Sequence, residues 1–393
     1  MPLAPHAISQ IPRPKGIINL NAGTLSPTPT PVMRRAEALR AVQAENPSDF
    51  CWRRTPGLIE SSRAALAGYL NVPPGDLLLL PNITHAINLV VSSLTLPRGT
   101  EVLLTDHEYG AMVFAWQRWA GVRDWNLRTV SVPFCAAAPR SPAELFDRVA
   151  SAITPATRVL FLYHVSSPTG LVFPLAELCA HARERDILTV VDGAHGPGMV
   201  PCDLAAIGAD FYASNLHKWL MCPSSGGFLC VARHRRNDLR AMVTSWGWGY
   251  ERSKAFEDSG NGGTRWQWDL EFHGTADRVP QMVVPEALAF RREMGTEPDI
   301  LAHMHEFSAA ARALIPLPCA SPEHPGMLGA LTVFEVPDCD PVAVRERMYG
   351  DFGIECPVTV AGGRCYLRVS AGLFARNDDL HALATAVRTI WHV

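Results

Sequence analysis

The sequence predicts an α/β protein: a large domain built on a mainly parallel sheet with helices on both faces, followed by a smaller α+β C-terminal domain. Three observations predict it. Short β-branched and aromatic runs alternate with helix-period segments between residues 101 and 231. The 393 residues exceed what one small core serves, and 48% are hydrophobic. Beyond residue 285 the order changes to strand, helix, strand, helix. The expected division is an N-terminal arm (1–31), a large domain (32–285) and a small domain (286–393).

Each element has its own signal. The arm is proline-rich and reads as extended. Apolar periodicity places helices at 32–45 and 58–70. A leucine run at 77–80 leads into an apolar helix at 85–95. Strands are expected at 101–105, 127–132, 157–163, 187–191, 209–213 and 226–231, with helices at 111–119, 142–152 and 174–185 between them. Residues 244–285 break the pattern: Trp246, Trp248, Tyr250, Trp266 and Trp268 are interleaved with glycines and charges. Such a segment inside a compact domain is a functional loop or an interface. A helix near 285–295 then leads to strand 329–336, helix 341–350, strand 364–369 and helix 377–391.

Composition excludes several classes. A formal net charge of −3, with charged residues at 19%, lacks the basic excess that nucleic acid or an anionic membrane selects. No apolar run reaches the ~18 residues that a membrane span needs. The first twenty residues lack an apolar core, so no signal peptide is expected. The ten cysteines form no CxxC pair, and no histidine stands at zinc-site spacing from them. They read as reduced thiols of a cytoplasmic protein with no metal site.

The chemistry is concentrated at strand ends. The run Thr189-Val-Val-Asp192-Gly-Ala-His195 ends a β-branched strand in a carboxylate, above the crevice where such sheets bind ligands. Ser214-Asn-Leu-His217-Lys218-Trp219 follows the next strand. A lysine among Leu216, Trp219, Leu220 and Met221 is costly to bury charged, and burial lowers its pKa. As a Schiff base it loses that cost. A lysine imine paired with a carboxylate fits pyridoxal 5′-phosphate (PLP), whose pyridine nitrogen must stay protonated for the ring to act as an electron sink. The phosphate needs N–H groups at a helix start. Pro81-Asn82-Ile83-Thr84-His85 supplies one, with Asn82 or Thr84 as cap.

Together, Asn-x-Thr before a buried helix, Asp-Gly-Ala-His and Asn-Leu-His-Lys-Trp resemble the class V aminotransferase family of fold-type I PLP enzymes, in its isopenicillin N epimerase-like branch. The likeness runs from Leu20-Asn-Ala-Gly-Thr to Arg368-Val-Ser-Ala-Gly. It implies Lys218 as the Schiff-base lysine and Asp192 as partner of the pyridine nitrogen. It implies His195 on the ring's phenolic oxygen and Tyr109, in Asp106-His-Glu-Tyr-Gly, stacked on the ring. Ile83, Thr84, Asn215 and His217 would hold the phosphate. Gly274 and Thr275 would reach the phosphate of the other subunit, which implies a homodimer with shared sites. Arg368 would bind the carboxylate of a small amino-acid substrate.

The set of Lys, Asp and Arg argues against a scaffold that keeps only the fold. A cysteine desulfurase needs a nucleophilic cysteine on a mobile loop, and Cys356 and Cys365 sit in a short, tight connection instead. The leading expectation is β-elimination from a cysteine S-conjugate, or related tailoring in specialised metabolism. Epimerisation comes next. Decarboxylating oxidative deamination, transamination and desulfuration follow it.

Overall fold

The computed structural model describes residues 3–134, 138–248 and 263–393. The arm contributes a two-residue strand, β1 (Ile18–Asn19). The large sheet is made of β2 (Leu77–Leu80), β3 (Glu101–Thr105), β4 (Asn126–Val130), β5 (Thr157–Tyr163), β6 (Leu188–Asp192), β7 (Phe211–Asn215) and β8 (Gly227–Val231). Their spatial order is β2-β8-β7-β6-β5-β3-β4. Pairings from β4 through β7 are parallel, and β8 runs antiparallel to both β7 and β2. The sheet is thus mainly parallel, as expected. Strands β2, β6 and β7 are buried at every position, which is why none of them shows the apolar/polar alternation of a half-exposed strand.

The antiparallel exception has a local cause. A parallel return needs a helical crossover. The connection 216–226 holds no helix, so the chain reverses directly and carries Lys218 through the turn. Register then aligns the functional ends. Tyr163 pairs with Asp192, and Asp192 pairs with Ala213. The carboxyl ends of β5, β6 and β7 therefore open on one crevice.

A second sheet is antiparallel, in the order β11-β12-β9, from β9 (Leu331–Val336), β11 (Val358–Ala361) and β12 (Arg364–Ser370). The helix Glu297–Leu314 and strand β11 were not anticipated from the sequence. Nor is the arm simply extended. It holds a helical turn, Pro5–Ile8, and its strand β1 pairs in parallel with β10 (Ile354–Glu355). The arm is also bonded at Leu20 N–H to Glu355 O (2.9 Å) and from Ser370 N–H to Leu20 O (2.9 Å). In the aromatic segment Trp246 and Trp248 are exposed, Trp266 and Trp268 lie on the helix Arg265–Glu271, and Tyr250 lies outside the described residues. Among the described residues no helix is long and apolar enough to cross a membrane.

Candidate active site

Lys218 Nζ lies 3.0 Å from His195 Nε2. On the other side of the imidazole, the indole N–H of Trp219 donates to Nδ1 at 3.2 Å. An indole nitrogen can only donate, so Nδ1 accepts and the ring proton resides on Nε2. That proton points at Lys218, which suits a neutral amine. Electrostatics agree with the geometry. Burial, then the charges of Lys218 and Arg368, hold His195 well below its usual range. Burial also pushes the Lys218 amine down; Asp192 opposes this and Arg368 adds to it.

Asp192, at the end of β6, is fully buried. Burial raises its carboxyl, while the Ala194 N–H donating to Oδ1 at 2.9 Å and the nearby Lys218 pull it back. The turn after it is pressed onto Tyr212 of β7. A Cβ at Gly193 would overlap the Tyr212 ring, and one at Gly196 would overlap the Tyr212 hydroxyl and lie 2.5 Å from His164 Nδ1. Tyr212 hydroxyl and His164 Nδ1 are hydrogen-bonded at 2.7 Å. Two glycines thus let the loop that carries His195 settle onto a buried, bonded pair.

The helix Ile83–Ser93 begins beside the end of β7. Asn82 is its cap, with Oδ1 accepting the His85 N–H at 2.9 Å. Asn215, from the end of β7, accepts the Ile83 N–H at 3.0 Å. Ile83's donor is therefore engaged, and Asn215 ties the helix start to the sheet. Among the described residues the Thr84 N–H has no partner, and neither does the buried Nδ1 of His217.

Arg368, on β12, is buried. Its Nη1 donates to Ser167 O (2.9 Å) and Ser167 Oγ (3.1 Å), and its Nη2 to Asn21 Oδ1 and Thr24 Oγ1 (both 3.2 Å). Nε is buried without a partner among the described residues. Sequence reasoning quoted Asn21 and Thr24 without assigning them a role, and missed Ser167 and Trp219. Ser167 follows β5, so the rule that ligands gather at strand carboxyl ends could have found it. Tyr109 caps the helix Gly110–Arg123 and is 52% exposed. Burial lowers the Arg368 guanidinium to about 10, and Cys356 and Tyr109 oppose that shift. No hydrogen bond among the described residues joins Gly274 or Thr275 to this cluster, although the neighbouring His273 ring packs on His85 at 4.4 Å. Gly274 and Thr275 lie at the surface beside a cavity of about 210 Å³ also lined by Phe50, Trp52 and Arg278. Gly274 has φ +105° and open space where a Cβ would be. The loop's ends are stapled: Glu271 receives Arg63 at 2.5 Å, Arg278 at 3.0 Å and the Leu79 N–H at 2.8 Å.

These residues fit PLP. The partnerless N–H at a capped helix start and the orphaned His217 nitrogen suit a phosphate. The buried carboxyl suits a pyridine nitrogen, and the amine with lowered pKa suits an aldehyde. Comparisons with known proteins agree. The aminotransferase class-V family model matches residues 17–316. Isopenicillin N epimerase of Amycolatopsis lactamdurans is 37% identical, covering 98% of this chain and 98% of its own. That of Streptomyces clavuligerus is 36% identical, covering 94% of each. Two structures of the cystine C–S lyase C-DES share the fold, with TM-scores of 0.81 and 0.79 at 24% and 23% identity. They cover 96% and 95% of this chain, and 98% and 97% of theirs; one carries glycine covalently linked to its PLP. The chain belongs to the aminotransferase class-V family: it is an enzyme, and its cofactor is pyridoxal 5′-phosphate.

Proposed function

We propose that the enzyme cleaves a carbon–sulfur bond of a cysteine S-conjugate by β-elimination. It would do so as a cytoplasmic homodimer of two-domain subunits, with a large domain at 32–285 and a small one at 286–393. The observation that carries the reading is a single base with a lowered pKa, Lys218, set against a bonded donor, His195, and near a buried cation, Arg368. PLP, when bound, supplies an electron sink for bonds at the α-carbon of an attached amino acid. Lys218 is then both the attachment point and the base that takes the α-proton. Asp192 would hold the proton of the pyridine nitrogen, and His195 Nε2–H would donate to the phenolic oxygen. Tyr109 would cover the ring; Thr84 and His217 would hold the phosphate, with Ile83 and Asn215, whose N–H and Oδ1 are bonded to each other, framing that end. Gly274 and Thr275 serve the partner's phosphate. Arg368 fixes the substrate carboxylate and thereby selects which bond is broken.

Two observations on the cysteines support elimination over desulfuration. Cys356 is buried, its thiol pushed up by that burial, and its Sγ donates to Arg368 O at 3.4 Å. Cys365 is buried too and bonds to Cys339 O. Neither offers a mobile thiolate. Elimination needs nothing further from the protein: the thiol leaves from the β-carbon, and water completes the conversion to pyruvate and ammonia.

A second reading, amino-acid epimerisation, is favoured by the 36–37% identity to isopenicillin N epimerases over nearly the whole chain. It requires Tyr109 or another group to protonate the α-carbon from the face opposite Lys218. One experiment separates the two. The holoenzyme is given a panel of S-alkyl-L-cysteines in deuterated water. Elimination yields pyruvate and free thiol in equal amounts. Recovery of intact amino acid with scrambled configuration and deuterium at the α-carbon replaces the lyase by the epimerase. Carbon dioxide and an aldehyde without pyruvate reject both.

A further inference from the structure

Arg368 has five N–H donors, and four of them have protein acceptors. Nη1 uses both of its hydrogens on Ser167, and Nη2 uses its two on Asn21 and Thr24. The fifth donor, Nε–H, is buried and has no partner among the described residues. A buried donor on a cation costs more unpaired than a neutral one does, so this edge marks a place for another acceptor. Nε and Nη2 share one edge of the guanidinium, and this chain uses that edge elsewhere. Arg128 grips Glu101 through Nε (2.7 Å) and Nη2 (2.9 Å).

Of the two acceptors on Nη2, Asn21 is the fixed one. Its Nδ2 donates to Glu355 Oε1 (2.9 Å), and its N–H is held by Asn19 Oδ1 (2.8 Å). Its segment is stitched to β10 and β12. Thr24 is the movable one. It is exposed, and its hydroxyl donates to Asn21 Oδ1 at 2.7 Å while accepting from Arg368. Between them Gly23 packs tightly on the small sheet, where a Cβ would lie 3.0 Å from Leu331 and from Ser370 Oγ and in ordinary contact with His195 Cε1 at 3.5 Å, and Ser26 N–H donates to His217 O at 3.2 Å. The strap therefore crosses from the small sheet to the lysine turn directly over the site.

We propose that the substrate carboxylate docks side-on to the Nε/Nη2 edge of Arg368, and that Thr24 yields one Nη2 hydrogen and turns its own hydroxyl to donate to that carboxylate. Asn21 keeps the other Nη2 hydrogen and Ser167 keeps both of Nη1, so all five donors are satisfied only when an α-amino acid is bound. This rests on the reading of Arg368 as the carboxylate anchor. Thr24 is then a specificity residue that reads a carboxylate and rejects an amide, whose NH₂ it cannot use in the same way.

The test is titration of the holoenzyme with glycine and with glycinamide, followed by the visible absorption of the cofactor. In Thr24→Val, which keeps the shape and removes the hydroxyl, glycine should bind about tenfold more weakly, the size of one hydrogen bond to a charged group. Thr24→Ser should restore glycine affinity, and glycinamide should bind both variants as it binds wild type. Wild-type glycine affinity in Thr24→Val, or equal losses for glycine and glycinamide, would overturn the proposal. Arg368→Gln tests the underlying anchor separately. If it loses glycine while Thr24→Val does not, the strap has no role and the anchor stands. If it binds glycine normally, the anchor itself is wrong.

Discussion

The substitution Gly196→Ala asks how tightly the His195 turn is seated. Its Cβ would fall on the Tyr212 hydroxyl and within 2.5 Å of His164 Nδ1. Tyr212 and His164 are both buried, so neither can swing into solvent. Forcing an extra methyl into such a site costs about 1–3 kcal/mol. Separating the bonded pair leaves buried polar atoms unsatisfied and adds about 1–3 kcal/mol. A loss of about 2–6 kcal/mol is expected, read as a lower denaturant midpoint under fixed conditions. His195 also moves, so the visible absorption of the cofactor should change. Tyr212→Phe removes the nearer of the two atoms the methyl strikes and frees room for His164 to yield. The double variant should therefore be no less stable than Gly196→Ala alone, a coupling of more than ~1 kcal/mol. Strict additivity of the two costs, or a wild-type midpoint for Gly196→Ala, refutes the reasoning.

Three further outcomes follow from the site. Lys218→Ala should lose the visible absorption of lysine-bound cofactor and all turnover, while some PLP stays bound through its phosphate; near wild-type activity would contradict the assignment. Asp192→Asn can keep the Ala194 N–H bond through its amide oxygen, so folding should change by less than about 1 kcal/mol. Turnover should fall at least ~100-fold, because a neutral amide no longer holds the ring proton, and a wild-type rate would assign that task elsewhere. Burial lowers His164 from 6.5 to about 4, so below pH 6.5 the unfolded chain binds a proton that the folded one refuses. Stability present above that pH is lost as the pH falls, by about 2 kcal/mol at pH 5 from this residue; denaturant midpoints for wild type and His164→Gln should diverge in acid, and parallel curves would rule it out.

The edge strand β4, Asn-Leu-Arg-Thr-Val, is largely uncovered, but the large sheet was legible because most of its strands are covered on both faces and carry β-branched and aromatic runs. Asp192 and Lys218 were legible because each breaks such a run where the chain leaves the sheet. Other features carried no local signal. Strand β11 is four residues long and only half covered, so Val-Thr-Val-Ala neither alternates nor runs apolar. The helix Glu297–Leu314 is the exception: its buried face, Ile300, Met304, Phe307 and Ala311, stands at helical spacing, and Thr296 and Asp299 form a capping box that could have marked its start. Trp219 read as a packing residue, because its indole N–H shows its purpose only against His195. The meeting of Asn21 and Thr24 with Arg368 is a fact of tertiary structure, and no spacing rule reaches across it.

That meeting joins positions 347 residues apart. Closing so long a span is entropically costly, and contacts of this kind form late. On the ribosome the lysine turn is complete well before Arg368 is made. A nascent chain can thus own a reactive amine before it owns a seat for a carboxylate. Chain order itself withholds catalysis until the two ends of the fold have found each other.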